Sequence, residues 1–263
     1  MLYDTPALIA LDFDGVICDG IREYFQVSKR VHDLIWYYEN PAPETLEPQF
    51  IKLRPVIETG WEMPLLLRAI NLKFSDEHIL SEWPEITQHL LYVMSLDTIH
   101  HPNFQKQELS KLLDGIRDRW IAEDLDSWLS LHQFYGGMID KLSRLLRSPT
   151  QVYIISTKED RFISQLLALA GIDFPSSNLF GKEVKQPKYE TLRQILKETN
   201  INPENTWFIE DRLEALELVT GQPDLDQVNL YLADWGYNTA KARDSLKSNP
   251  RIKLLSLEEF TSC

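Results

Sequence analysis

Leu8-Ile-Ala-Leu-Asp-Phe-Asp-Gly15 is the stretch on which the reading of this chain turns. An apolar run leads into Asp12, a single Phe, Asp14 and a glycine. Side chains two residues apart on a strand point to one face. Where the backbone turns at the strand's end, one acid can face a reaction centre while the other swings beside it. A nucleophile-type oxygen and a proton-transfer carboxyl then share one small pocket. A divalent cation would let two anions sit so close without one being forced to protonate. Asp is also an ordinary turn residue, so the rest of the chain has to decide between chemistry and a polar turn.

Strands of the same style recur. Gln151–Ser156 is rich in β-branched residues, and Thr206–Ile209 and Val228–Ala233 are short apolar runs, with a brief candidate at Asn178–Phe180. Helical spacing marks Met138–Arg147, Phe162–Ala170, Tyr189–Thr199 and Leu213–Val219 between them. Gly171 reads as the stop of the second of these helices. Short apolar strands alternating with helices of about ten residues predict an α/β fold, a Rossmann-like three-layer core around a parallel sheet. From about Ile21 to Phe134 the style changes. Helices are expected at Ile21–Glu39, Trp61–Ile70, Glu77–Met94 and Phe104–Trp128, with loops at 40–50 and 98–103. Seven prolines punctuate this region, and five of the seven tryptophans lie in it, enough for a separate aromatic core. The expected division is 1–17 with 136–263 as the core domain and 18–135 as an inserted, mostly α-helical domain.

Bulk properties narrow the function. A formal charge of −13 argues against sequence-independent nucleic-acid binding and against docking on anionic lipid. Cys18 and Cys263 make no disulfide framework, which suits a reducing compartment. The first residues lack a basic and then apolar pattern, so no signal peptide is expected, and no apolar run reaches membrane-spanning length. The expectation is a cytoplasmic protein with no nucleic-acid or membrane partner.

In an open parallel sheet, ligands bind beyond the carboxyl ends of the strands. Asp12 and Asp14 follow the first strand, Ser156 and Thr157 the second, Glu210 and Asp211 the third, and Lys185 and Lys188 precede a helix. Phosphoryl transfer needs such parts: a carboxylate to attack phosphorus, a carboxyl to protonate the leaving oxygen, a hydroxyl and an ammonium for the equatorial oxygens, and an acid to hold a metal. Each has an ordinary reading too. Ser and Thr cap helices, first-turn acids favour helix N-termini, and lysines are solvated.

Four motifs in order resemble the haloacid dehalogenase-like (HAD) superfamily of aspartate-nucleophile phosphohydrolases: Asp12-Phe-Asp14-Gly-Val, Ile155-Ser156-Thr157, Lys188, and Phe208-Ile-Glu210-Asp211. The resemblance covers roughly 6–20 and 137–263, and Leu230–Tyr237 resembles the family's last core strand and loop. It implies that Asp12 forms an aspartyl-phosphate and that Asp14 is general acid and then general base. It implies further that Ser156 and Thr157 bind phosphate. Asp12, Asp14 and Asp211 would hold Mg²⁺, with Glu210 ordering the metal's surroundings. The oxygen-only set suits Mg²⁺ better than zinc. Lys188, opening a helix after Pro187, is preferred for the phosphate-binding ammonium, with Lys185 as the alternative.

The resemblance also makes the insert a helical cap in the C1 position, a lid that dries the site and sets substrate choice. In its turn-rich stretch Leu53-Arg-Pro-Val-Ile-Glu-Thr-Gly-Trp-Glu62, Arg54 is a candidate for an anionic substrate group, as is Arg212 beside the metal acids. Arg54 paired with Glu58 on a helix is the plainer alternative. His100-His101 is not expected to bind metal, because adjacent side chains diverge and no third ligand is near. The expected function is a Mg²⁺-dependent phosphohydrolase acting on a small phosphorylated metabolite. A HAD-type mutase, a dehalogenase, or a catalytically weak member serving as a binding or interaction module are the alternatives, and a protein partner for the long cap stays open.

Overall fold

The computed structural model describes residues 6–38, 41–96 and 105–262. The loop expected at 98–103 and the pair His100-His101 lie outside the described residues. The chain divides into two compact units, Met1–Asp19 with Gln133–Cys263, and Gly20–His132.

The first unit is built on a six-stranded parallel sheet. Its strands are β1 (Leu8–Leu11), β4 (Gln151–Ile155), β5 (Leu179–Phe180), β6 (Thr206–Glu210), β7 (Asn229–Ala233) and β8 (Ile252–Leu255), in the order β5-β4-β1-β6-β7-β8. A separate antiparallel pair joins β2 (Cys18–Asp19) to β3 (Gln133–Phe134). All four residues of β1 are buried, so the strand is covered on both faces, as its unbroken apolar run requires. Each Leu or Ile so placed is worth about 1.5–3 kcal/mol over exposure. β4 and β6 flank β1, and the sheet grows outward from there in both directions. The carboxyl ends of β1, β4 and β6 therefore surround the point where the strand order reverses, the crevice position of doubly wound sheets.

The second unit is helical. It comprises α1 (Ile21–Ile35), α2 (Glu47–Leu53), α3 (Met63–Asn71), α4 (Asp76–Ser81), α5 (Trp83–Leu96), α6 (Lys106–Glu123) and α7 (Leu125–Leu129). α1 packs against α2, α3 and α6. Trp36, Trp83, Trp120 and Trp128 are buried, so these tryptophans form core. The carboxylate of Glu23 is buried and accepts from Arg117 Nε at 2.7 Å and Trp128 Nε1 at 3.0 Å. Three expectations need correction here. The stretch read as a loop at 40–50 carries a 3₁₀ turn at Glu44–Leu46 and the start of α2, which has Pro48 in its first turn, where a missing N–H costs nothing. One helix expected over Glu77–Met94 is two, because Pro84 begins α5 rather than continuing α4. Phe104–Trp128 likewise splits at Asp124, which leaves helical geometry (φ −156°, ψ 78°) and caps α7 by accepting from Ser127 N–H at 3.0 Å.

The remaining helices return to the first unit: α8 (Met138–Leu146), α9 (Asp160–Leu169), α10 (Lys188–Thr199), α11 (Leu213–Thr220), α12 (Ala240–Ser245) and α13 (Leu257–Ser262). Leu192, Ile195 and Leu196 of α10 and Leu216 and Val219 of α11 meet Leu8, Ala10, Phe208, Leu230 and Leu232 in one cluster on one face of the sheet. α8 packs on β4, with α13 beside it. Among the described residues no helix is long and apolar enough to cross a membrane.

Candidate active site

Asp12 stands directly after β1, and its N–H still extends the ladder to Ile209 O at 3.0 Å. Its own Oδ1 accepts from Phe13 N–H at 2.7 Å, which fixes the carboxylate against the turn. Lys188, the first residue of α10, reaches the same oxygen with Nζ at 2.9 Å. The ammonium also lies 2.6 Å from Glu210 Oε2, at the end of β6. Asp211 follows Glu210, and Asp12, Glu210 and Asp211 are all buried. One ligand oxygen from each of the three falls within 4.8 Å of the others.

Burial, and then the charge of Glu210, push the Asp12 carboxyl up to about 7, against the pull of Lys188. Burial raises Glu210 as well. Burial works against the charge of Lys188, but Asp12 and Glu210 outweigh it and hold the ammonium above its ordinary range. Three buried carboxylates so arranged are short of positive charge. A hard divalent cation fits this set, because every donor is a carboxylate oxygen and their spacing allows one shared ion.

Asp14 has left the strand. Its Oδ2 pairs with Lys158 Nζ at 3.2 Å, and its Oδ1 is buried with no hydrogen-bond partner. The acidic group of closest approach is thus Asp12, Glu210 and Asp211, while the Asp14 carboxylate is held by a lysine. Ser156 is buried just past β4, and its Oγ accepts from Lys158 N–H at 3.3 Å. Thr157 beside it is exposed.

Lys185 is exposed, with φ 54°, while Lys188 makes the contacts. Arg212 sends its guanidinium to Glu214, 3.3 Å away, and its backbone N–H to Glu210 Oε1 at 3.2 Å. Arg54 belongs to the second unit, where it is buried, donates to Ile57 O at 3.2 Å and lies over the Tyr24 ring.

Lys158 is the residue that sequence reasoning missed. The signal was a base immediately after Ser156-Thr157, and nothing local separated it from a solvated charge. The loop after β7 was read as part of the resemblance, but its contacts to Asp211 were not. Tyr237 N–H donates to Asp211 Oδ2 at 2.7 Å. The packing there is close: a Cβ on Gly236 would lie 2.2 Å from Asp211 Cβ, and one on Gly15 would lie 2.0 Å from Asp211 Oδ2. Gly15 also has φ +86°, a conformation that L side chains rarely adopt.

The fold and this centre define a Rossmann-like α/β protein with a buried, oxygen-lined acidic site at the switch point of its sheet. The pattern of the haloacid dehalogenase-like hydrolases matches residues 6–217, and the chain belongs to that family. Its helical second unit is inserted after the first acidic motif, the C1 position. No functionally curated protein matches it in sequence. Among solved structures it is similar to a predicted phosphoglycolate phosphatase from Haemophilus somnus 129PT (TM-score 0.63, 13% identity, 98% of this chain and 96% of that one). It is similar to a predicted phosphatase from Clostridium acetobutylicum (TM-score 0.57, 14% identity, 98% of each chain). A haloacid dehalogenase-like family protein from Streptococcus pneumoniae gives a TM-score of 0.54 at 16% identity, over 96% of this chain and 95% of that one. At such identities the likeness is one of fold.

Proposed function

We propose that this chain is a Mg²⁺-dependent phosphatase that cleaves a small phosphomonoester through an aspartyl-phosphate on Asp12. The observation that carries the reading is the buried Asp12 carboxylate, oriented by Phe13 N–H and Lys188 within a three-carboxylate group that one divalent cation fits.

In this reading the Asp12 carboxylate attacks phosphorus, and the bond to the leaving oxygen breaks as Asp14 gives that oxygen its proton. Asp14, now a carboxylate, takes a proton from water. The water oxygen bonds to phosphorus, and the bond to Asp12 breaks to release orthophosphate. Ser156 and Thr157 offer hydroxyls, and Lys188 an ammonium, to the phosphoryl oxygens. Asp12 and Asp211 would hold the cation with the Asp14 backbone carbonyl, and Glu210 would order its surroundings. When bound, Mg²⁺ supplies the positive charge that lets these acids stay ionised beside a phosphate. Lys158 Nζ, 3.2 Å from Asp14 Oδ2, contacts the carboxyl that moves the proton. The helical second unit serves as the cap that selects the substrate. Asp14 favours ester hydrolysis over dehalogenation, which needs no acid at that position.

The test is turnover of a panel of phosphorylated metabolites with and without Mg²⁺. Asp12→Asn is expected to lower turnover on the order of 1,000-fold or more with the fold intact, and EDTA to abolish it. An Asp12→Asn variant as active as the parent would overturn the nucleophile, and activity indifferent to EDTA would overturn the cation.

A further inference from the structure

Residues 234–238, the loop after β7, make hydrogen bonds to Asp211 and to the segment after β1. Trp235 Nε1 donates to Val16 O at 3.0 Å, and Tyr237 OH donates to Asp19 Oδ1 at 2.6 Å. Tyr237 N–H holds Asp211 Oδ2. Asn238 is buried at the centre of the set. Its Nδ2 donates to Ala233 O at 2.7 Å and to Asp211 O at 3.1 Å, joining the ends of β7 and β6. Its backbone O and its Oδ1 both accept from Arg243 Nη1, at 2.9 Å each. Arginine can only donate, so the amide oxygen must face Arg243 and the amide nitrogen must face the two carbonyls. An Asp of the same shape could not make those two bonds.

We infer that Asn238, locked by Arg243, is a positioning residue that sets where Asp211 stands relative to Asp12 and Glu210, and so tunes divalent-cation affinity. The inference rests on the cation-dependent reading above. Gly236 lies so close to Asp211 that no side chain fits there, so packing adds to the polar bonds in placing the two segments together. Groups that orient metal-holding residues matter for affinity because a displaced donor must be brought back when the ion binds.

Calorimetric titration of the full chain with Mg²⁺ alone tests this, for the parent and for Asn238→Ala, Asn238→Asp and Arg243→Met. Melting in EDTA monitors the fold. Both Asn238 variants are expected to weaken Mg²⁺ binding at least about tenfold, and Arg243→Met about threefold. Turnover in Asn238→Ala is expected to recover to near the parent's when Mg²⁺ is raised to saturation. A merely structural role would lower the melting temperature and leave Mg²⁺ affinity alone. Unchanged affinity in a folded Asn238 variant overturns the assignment. If neither Asn238 variant folds, unchanged affinity in Arg243→Met overturns it. A parent that binds no Mg²⁺ overturns the functional reading and this assignment together, whereas a parent that binds and variants that match it overturn the assignment alone.

Discussion

Gly15 shows how tightly single residues are specified around the acidic centre. Its φ of +86° lies where L side chains are strained, and an added Cβ would sit inside Asp211. Gly15→Ala combines backbone strain with overpacking against a buried carboxylate, so we expect a loss of about 2–4 kcal/mol. The urea midpoint of the variant measures it, and a shift of less than about 0.5 kcal/mol would contradict the crowding described. Asp12, Asp14, Glu210 and Asp211 could be singled out in the sequence because each follows an apolar run at a predicted strand end. Lys188 could be placed because it opens a helix after proline. Lys158 could not be placed, since its pairing with Asp14 exists only because β4 lies beside β1. The role of Asn238 was hidden for the same reason: its partners Ala233 and Asp211 become neighbours only when β6 and β7 pair.

Elements with a long apolar signal were legible, and, β5 apart, the short strands without one were not. β1, β4, β6 and β7 are buried runs, and their apolar composition announced them. β8 went unread because it is half exposed at the sheet's edge, with Lys253 and Leu254 both exposed. β2 and β3 are two residues each, too short to carry a period. In the helical unit, breaks at Pro84 and Asp124 were absorbed into longer predicted helices because the apolar spacing runs on across them. Local caps set those boundaries. The Gly60–Glu62 turn is the clearest case. Glu62 is buried and accepts from Thr59 N–H at 3.2 Å, Thr59 Oγ1 at 2.7 Å and, from α5, Trp83 Nε1 at 2.9 Å. The carboxylate thus caps the turn that leads into α3 and ties α5 to it. Glu62→Ala strands these donors, one of them a buried indole N–H. We expect it to cost about 2–3 kcal/mol, read from chemical denaturation. A variant as stable as the parent would show that water satisfies the donors instead.

At the scale of the whole molecule, the sheet order assembles the candidate site. Placing β1 between β4 and β6 brings acids and a hydroxyl from three distant stretches to one crevice, and α10 adds the ammonium from a fourth. Burial within the unit, with the charge of Glu210, lifts the Asp12 carboxyl to about 7. The insert leaves the core immediately after β2 and returns at β3, so the antiparallel pair of those strands closes the excursion. The claim on which all this depends is covalent chemistry at Asp12. It is tested most directly by acid-quenching Asp14→Asn during turnover of p-nitrophenyl phosphate and measuring the mass of the peptide that contains Asp12. A good leaving group needs little help from an acid, whereas hydrolysis of the intermediate needs the base that the variant lacks. The account predicts a phosphoryl group on that peptide, removed by hydroxylamine and absent when Asp12→Asn is added. Substrate turnover with no phosphoryl group on that peptide would contradict it.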